Sequence, residues 1–297
     1  MAHSLIPVPE FSCGFTSSES LVLYFPELTV TTLADKVLQV HKSASRTPHP
    51  LVEPPPPSCI SPIPPPFPPP RKAWEAFYPE GSINPSARIP GGFGFYLKGP
   101  DQFSLELGAA TEAVFSYRMM LQGEWDWVKG GKLPGVYGGI GDLAYGCTGG
   151  RKENRCQCFN IRPMWRKDSI AELYTYLPLT SCNAKQLGAV PPLSMQNPDY
   201  GFSVGRGAFN LEAAVGNWVA IAFRIKLNDI GSENGELQLW VDGVSVISID
   251  GLCFRESDES KIKGMHFQTF FGGHSEEWAS PKDQRAWFAD VTGVIVR

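Results

Sequence analysis

The chain has 297 residues and a formal net charge of −4. An acidic protein does not attract a polyanion through its overall charge, so an anionic ligand must be bound by a local group of basic side chains. The sequence has neither a stripe of Lys and Arg nor a nucleic-acid-binding motif, which argues against nucleic acid as a partner.

The first 72 residues do not resemble a globular domain. Residues 47–70 read TPHPLVEPPPPSCISPIPPPFPPP, which favours extended polyproline II. The residues before them lack the basic start and unbroken apolar core of a secretory signal, and their apolar stretch is too interrupted to predict a membrane span. We predict that residues 1–72 form a disordered tail or linker. Residues 73–297 are then one domain, of a length typical of an all-β fold.

Alternation of apolar and polar residues, the pattern of a β-strand, dominates after residue 93. It occurs in VFSYRMML (114–121), WVAIAFRIKLN (218–228), GELQLWVDGVSVISI (235–249), KGMHFQTFFGG (263–273) and AWFADVTGVIV (286–296). The Asp242-Gly243 pair predicts a hairpin turn within the third stretch. Because no helical period is sustained, we predict two antiparallel sheets packed face to face, a β-sandwich or jelly roll. The stretches GNWVAIAFRIKLND and NGELQLWVDG resemble adjacent strands of concanavalin-like jelly rolls.

Four of the seven cysteines lie within residues 147–182. They show neither the CxxC spacing nor the Cys/His pairs of a zinc site, so we predict one or two disulfides that pin a long loop. Disulfides indicate an extracellular protein, although no signal peptide is visible. We predict no cofactor and no metal among the site residues. Asp229, Glu233 and Asp258 lie near predicted loops and could form an oxygen cage for calcium far from the cleft, and their spacing is not diagnostic either way.

Planar and charged side chains occupy alternate positions of several predicted strands, and alternate residues share one face of a strand. These sets are Ser116 with Arg118, Asn160 with Arg162, Glu172 with Tyr174 and Tyr176, and His266 with Gln268. One interpretation is that each face is simply solvated. The other is a groove that binds carbohydrate, because these long hydrogen-bonding side chains differ from the Lys, Glu, Thr and Ser of an ordinary solvated face.

Arg, Lys and Tyr together suit the β-elimination of a 4-linked uronic acid. That reaction removes the proton at C5, next to the carboxylate, and expels the oxygen at C4. A cation or an amide stabilises the charge that develops on the carboxylate, and a Tyr whose pKa is lowered by neighbouring cations acts as the base. In D-gluco and D-manno uronates both groups leave from the same side, so one Tyr can act as base and then as acid without a metal.

Three stretches, in this order, resemble the family-14 polysaccharide lyases: WDWVKGGKLPGVYGG, IRPMWR…ELYTYLP and TFFGGHSEEWASPKDQ. The resemblance covers roughly residues 74–297. The family contains alginate lyases and fungal glucuronan lyases, all with jelly-roll folds. The resemblance therefore implies a β-elimination lyase whose partner is an acidic polysaccharide.

The resemblance also implies an active site. The catalytic residues that it implies are Lys132, Arg162, Tyr174 and Tyr176, with Tyr174 favoured as the base. Asn160 stands where the family can have Ser, and we expect its amide to bind the substrate carboxylate. Lys129 is the alternative loop cation, and we expect the glycines around it to let the backbone approach the sugar. The faces described above add Arg118, His266 and Gln268 as candidate substrate-binding residues.

Two other functions remain open at this point. A carbohydrate-binding jelly roll without activity would keep the fold and the aromatic residues but has no use for clustered Lys, Arg and Tyr. A glycoside hydrolase needs two carboxylates beside the bond, and the candidates are scattered along the chain: Glu172, Glu212, Glu236 and Asp242. For a lyase, the cysteine-rich segment favours glucuronan as the substrate, with alginate as the alternative.

Overall fold

The computed structural model describes residues 3–58, 67–197 and 201–297. They form a sandwich of a nine-stranded and an eight-stranded sheet, in which nearly all neighbouring strands are antiparallel. This confirms the predicted all-β jelly-roll class. Two short helices, α1 (Asp101–Leu107) and α2 (Ser181–Gly188), lie between strands. Among the described residues, no helix has the length and apolar character needed to cross a membrane.

Seventeen strands build the two sheets. In chain order they are β1 (Cys13–Thr16), β2 (Thr29–Val30), β3 (Leu51–Val52), β4 (Ala73–Tyr78), β5 (Phe93–Leu97), β6 (Glu112–Leu121), β7 (Gly130–Lys132), β8 (Gly135–Gly139), β9 (Cys158–Arg166), β10 (Ile170–Tyr176), β11 (Met195–Gln196), β12 (Phe202–Asn210), β13 (Val219–Lys226), β14 (Gly235–Val241), β15 (Val244–Leu252), β16 (Lys261–Phe271) and β17 (Gln284–Ile295). The nine-stranded sheet runs β15-β14-β13-β6-β17-β1-β2, with β4 also paired to β17 and β3 to β4. The eight-stranded sheet runs β11-β12-β10-β9-β7-β16-β5, with β8 between β16 and β9.

The core lies between the sheets and is rich in aromatic side chains. Phe267 of β16 stacks on Phe95 of β5 at 5.5 Å between ring centroids, and Tyr117 of β6 meets Phe267 at 5.3 Å from the opposite sheet. Because alternate side chains of a strand point to opposite faces, the neighbours of Phe267, His266 and Gln268, lie on the other side of the eight-stranded sheet. We call that side the outer face.

The N-terminal segment is folded against the sandwich, which corrects the disordered tail predicted for residues 1–72. β1 pairs with β17, and Phe15 is fully buried against Phe103, with 4.7 Å between their ring centroids. Leu5 and Ile6 are buried against the nine-stranded sheet. These apolar side chains lie outside the Pro-rich stretch, whose composition dominated the prediction. Residues 59–66 of that stretch, including Cys59, lie outside the described residues.

Truncating Phe15 tests this packing. We expect Phe15→Ala to lower the free energy of unfolding by about 3–5 kcal/mol, because it removes a fully buried aromatic ring from the core. Leu23→Ala, in the same segment but 82% exposed, should change it by less than about 0.5 kcal/mol. Urea unfolding monitored by tryptophan fluorescence measures both. Equal, small effects would show that the segment does not contribute to the core.

Candidate active site

Three neighbouring strands, β10, β9 and β7, bring the predicted catalytic residues together on the outer face. In the register of β9 and β10, Arg162 lies opposite Tyr174 and Asn160 lies opposite Tyr176. Lys132, the last residue of β7, lies opposite Met164 of β9. Residues directly opposite each other on antiparallel strands have Cβ atoms about 4.5–5.5 Å apart, close enough for their side chains to interact.

Lys132 and Tyr174 are in direct contact. The Lys132 Nζ lies 3.3 Å from the centroid of the Tyr174 ring and donates a hydrogen bond to the Met164 Sδ at 2.7 Å. Burial, with smaller contributions from the positive charges of Arg162 and Arg166, lowers the pKa of Lys132 well below its ordinary value. The uncharged amine, which can accept a proton, is therefore favoured far more than it is for a lysine in water.

The pKa of Tyr174 moves in the direction opposite to the predicted one. Burial and the neighbouring Tyr176 raise it, and the positive charge of Arg166 does not compensate. The Tyr174 hydroxyl oxygen accepts a hydrogen bond from the Gly201 backbone N–H at 3.3 Å. Tyr174 is therefore a protonated phenol over the physiological pH range, which suits a proton donor better than the base that the sequence predicted.

A row of polar side chains lies next to this pair. The Arg162 guanidinium donates to the Gln268 Oε1 at 2.7 Å, and the Asn160 Nδ2 lies 2.9 Å from the His266 Nδ1. His266 stacks on Tyr96 of β5 at 4.1 Å between ring centroids. The Asn160 Oδ1 is buried and has no hydrogen-bond partner among the described residues. The row can therefore present a guanidinium and an amide to a carboxylate.

His266 should make folding sensitive to acid. Burial, then the charges of Arg162 and Lys132, lower its pKa well below 6.5, so the folded protein holds it neutral while the unfolded chain protonates it. The stability that the neutral His266 contributes is therefore complete above about pH 6.5, the ordinary pKa of histidine. It is lost as the pH falls from there towards the lower pKa of the folded state, by up to about 1.4 kcal/mol per pH unit.

We therefore expect the free energy of unfolding to decrease less between pH 7 and pH 4 in His266→Gln than in the wild type. Urea unfolding at each pH measures it. His274→Gln is the control, because His274 is exposed on a loop, and it should keep the wild-type dependence. Identical acid sensitivity in His266→Gln and the wild type would contradict a buried neutral His266.

Glu172 shares the outer face but is fully engaged. Its carboxylate accepts hydrogen bonds from Arg166 at 2.5 Å, Arg206 at 2.6 Å and Ser203 at 2.7 Å. Burial alone would raise the pKa of Glu172, but these bonds and the charge of Arg166 outweigh it and lower the pKa. An ionised, fully bonded carboxylate does not donate a proton. Glu236, another carboxylate candidate, pairs with Arg224 and Lys226 on the nine-stranded sheet, so this arrangement does not favour a hydrolase.

Two of the predicted substrate-binding residues lie elsewhere. Arg118 is on β6 of the nine-stranded sheet, where it forms a buried ion pair with Asp290 and donates to the Pro68 carbonyl at 2.9 Å, so its predicted place in the site is wrong. Alternation along a strand shows which residues share a face but not which sheet contains the strand. Lys129 pairs with Glu277 at 2.6 Å and its side chain is 44% exposed, which leaves Lys132 as the lysine of this loop that contacts the tyrosines.

The glycines around Lys132 serve strand packing. A Cβ atom on Gly131 would lie 2.1 Å from the Trp165 ring, and one on Gly135 would lie 2.0 Å from the Ile161 carbonyl oxygen. Both strands can therefore approach β9 only because these residues lack a side chain. This packing explains how Lys132 is brought beside β9, whereas the approach of the glycine backbone to a sugar stays a prediction.

Three residues of the site were absent from the prediction. Met164 continues the alternation of Asn160 and Arg162 along β9, so the strand pattern contained the signal for it. Tyr96 lies across from His266 in the register of β5 and β16, which no local pattern reveals. The guanidinium of Arg155 lies 4.7 Å above the Tyr176 ring, on a segment whose position depends on a disulfide.

That disulfide joins Cys147 to Cys158 and is one of the one or two predicted for this region. Within the described residues, Cys156 and Cys182 form no disulfide. Cys147 and Cys158 pack against Met164, Tyr174 and Tyr176, so the disulfide forms part of the wall of the site. No group of three or more His, Cys, Asp or Glu side chains that could hold a metal ion occurs in residues 3–58, 67–197 and 201–297.

Comparison with known proteins identifies the family. The family model for polysaccharide lyase 14 matches residues 69–291. A marine PL-14 alginate lyase from Aplysia kurodai has a similar structure, with a TM-score of 0.68 and 25% identity over 86% of this chain and 90% of that chain. An alginate lyase from a Chlorella virus has the same fold, with a TM-score of 0.62 and 17% identity over 93% of this chain and 97% of that chain. No match was found among curated proteins. The family model covers most of the chain, and together with the shared fold it shows that the protein is a lyase that belongs to polysaccharide lyase family 14.

Proposed function

We propose that the protein cleaves 1,4-linked polyuronates by β-elimination on the outer face of the eight-stranded sheet. The observation that carries this proposal is the contact of Lys132 with Tyr174, at 3.3 Å from Nζ to the ring centroid, beside the polar row of Arg162, Asn160 and Gln268. A non-catalytic carbohydrate-binding module has no use for a buried amine in contact with a phenol. Burying two ionisable groups is unfavourable because it disfavours their charged forms, and such groups often occur at functional sites.

The polar row binds the carboxylate of the sugar that loses its proton. Arg162 is almost fully buried, so its charge acts in a medium of low dielectric and is strongly felt by a nearby anion. As the C5 proton leaves, negative charge spreads onto the carboxylate, and the guanidinium with the Asn160 amide stabilises it. Asn160 binds through the Nδ2 hydrogen that it does not donate to the His266 Nδ1, and His266 fixes the orientation of that amide.

Lys132 and Tyr174 divide the two proton transfers between them. The uncharged Lys132 amine takes the proton from C5, and the electron pair of the C5–H bond forms the C4=C5 double bond. The C4–O4 bond breaks, and the Tyr174 hydroxyl protonates the departing oxygen. Both groups lie on one side of the sheet, as removal from the same side of a D-mannuronate or D-glucuronate requires. Afterwards the Lys132 ammonium returns a proton to the phenolate beside it.

The preferred substrate in this proposal is the polymannuronate of alginate, because the relative with 25% identity is an alginate lyase. This replaces glucuronan, which the cysteine-rich segment favoured in the sequence. The Cys147–Cys158 disulfide supports action outside the cell, since disulfides persist in oxidising compartments. The positively charged side chains at the site suit an acidic polysaccharide as the partner.

Incubating the full-length protein separately with polymannuronate, polyguluronate and glucuronan tests the proposal. A lyase produces a C4=C5 double bond conjugated with the carboxylate, which is detected by its ultraviolet absorbance. We expect the fastest rise in absorbance with polymannuronate. New reducing ends without absorbance would indicate a hydrolase, and binding without either product would indicate a carbohydrate-binding module.

A further inference from the structure

The N-terminal segment extends the eight-stranded sheet beside the site. The backbones of His41 and Tyr96 exchange two hydrogen bonds of 2.9 Å, and the Ala44 N–H donates to the Gly94 carbonyl at 2.7 Å. Residues 41–44 therefore run along β5 as an additional edge. Tyr96 stacks on His266, so this edge is continuous with the polar row of the active site.

Three lysines lie on or near this edge. The Lys42 Nζ lies 4.4 Å from the centroid of the Tyr145 ring, and the Tyr145 hydroxyl lies 2.9 Å from the His41 Nε2. Lys98 follows β5 and Lys263 lies on β16. Among the described residues, Lys42, Lys98 and Lys263 form no ion pair.

Lys98 lies close enough to Lys263 to influence it, and both Lys98 and Lys42 influence His41. Burial and then Lys98 lower the pKa of Lys263, and Asp142 opposes this shift. Burial is also the main cause of the lowered pKa of His41, with Lys98 and Lys42 contributing. A group of like charges with one nearby carboxylate is unfavourable in isolation, and an anion placed among them relieves the repulsion.

We propose that Lys42, Lys98 and Lys263, together with the ring of Tyr145, form a subsite that binds the carboxylate of a uronic acid residue outside the reacting pair. The inference rests on the proposed function, because a polyuronate carries one carboxylate on every sugar. Arg162 binds the carboxylate at the reacting sugar, so the neighbouring sugars require cations further along the sheet. Neighbouring strands are about 4.8 Å apart, which places residues 41–44 about 10 Å from β16, beyond β5.

The position of Tyr145 supports a sugar rather than a free anion. Its ring is partly exposed and meets Tyr96 at 4.9 Å and Tyr137 at 5.7 Å between centroids. Tyr145 and Tyr96 connect Lys42 to His266 through successive ring contacts, and an aromatic surface next to a cation suits a sugar ring that carries one carboxylate. The subsite thus uses residues 41–44, which lie outside residues 69–291 that the family model matches.

The test compares Lys42→Gln, Lys263→Gln and the double variant with Lys185→Gln. Lys185 is exposed on α2, which packs against β15, so its substitution removes one positive charge away from the subsite. With polymannuronate, we expect the double variant to raise KM about 3- to 10-fold, the effect of losing one or two partly exposed ion pairs, while kcat stays within about twofold. With the shortest cleavable oligosaccharide, the KM of the double variant should equal that of the wild type. With polymannuronate, added salt should reduce the difference in KM between the double variant and the wild type.

Equal KM values for the double variant and Lys185→Gln on the polymer would overturn the inference, as would a loss confined to kcat. Calorimetric binding of polymannuronate to the same variants separates this inference from the proposed function. If the wild type releases no unsaturated product but binds the polymer, and the double variant binds it several-fold more weakly, the subsite stands and the lyase chemistry on this substrate fails. Unchanged binding in the double variant would overturn the subsite whatever the activity.

Discussion

Tyr174→Phe should lower kcat by at least about 100-fold and leave KM within about threefold of the wild type, because it removes a proton transfer and keeps the ring. In the proposed mechanism the phenol acts on the departing O4 only in the transition state, so we expect its loss to slow the reaction and hardly affect substrate binding. The aromatic ring remains in contact with Lys132 and Tyr176. Initial rates of ultraviolet absorbance with polymannuronate give both constants.

Two variants control for the loss of a phenol. Tyr24→Phe, 56% exposed in the N-terminal segment, should keep full activity. Tyr176→Phe, whose ring lies 5.5 Å from that of Tyr174, should lose less activity than Tyr174→Phe. If Tyr176→Phe loses more, the acid is Tyr176; if both remain fully active, tyrosine takes no part in the reaction.

Lys132→Met should abolish most of the activity and at the same time stabilise the protein at neutral pH. In the proposed mechanism Lys132 is the base, so we expect its loss to lower the activity by about 100-fold or more. The stability rises because the buried position disfavours the charged amine, whereas a Met side chain fits the apolar surroundings beside Met164. Urea unfolding at pH 7 and absorbance assays on the same preparations measure the two effects.

The pH dependence of this stability difference has a definite sign. The folded-state pKa of Lys132 is lower than the ordinary 10.5 of the unfolded chain. Between the two values the unfolded chain binds more protons, so the wild type gains stability as the pH rises through that window. The advantage of Lys132→Met should therefore be largest near neutral pH and shrink as the pH approaches 10.5. A constant advantage across this range would contradict a lowered pKa.

Lys132→Arg distinguishes a base from a simple positive charge. Arginine keeps the charge but stays protonated at all working pH values, so it should be nearly as inactive as Lys132→Met. Substantial activity in Lys132→Arg would assign Lys132 to carboxylate binding. Lys129→Met is the control, because Lys129 pairs with Glu277 away from the tyrosines, and it should keep most of the activity.

The strand pattern predicted the faces of this site well. Asn160 with Arg162, Tyr174 with Tyr176, and His266 with Gln268 were each assigned to one face from alternation alone, and the structure brings all three pairs to the same outer face. Alternation is a local property, so it holds whatever the neighbours of a strand are. For the same reason it placed Arg118 in the site, although β6 belongs to the other sheet.

The effects of burial and of pairing between distant strands could not be predicted from the sequence. The lowered pKa that we predicted for Tyr174 considered only the nearby cations, whereas the dominant effect is the removal of the phenol from water. The prolines of the N-terminal segment predict disorder, but Phe15 is buried because its strand, β1, pairs with β17 at the far end of the chain. Such contacts depend on the whole fold and leave no local pattern.

The rate of unsaturated product formation from polymannuronate as a function of pH tests the central claim most directly. If Lys132 is the base and Tyr174 the acid, kcat/KM rises with pH through the lowered pKa of Lys132 and levels off well before pH 10.5. A rate that continues to climb through pH 10.5, as a phenol base requires, or the absence of unsaturated product at every pH, would contradict the account.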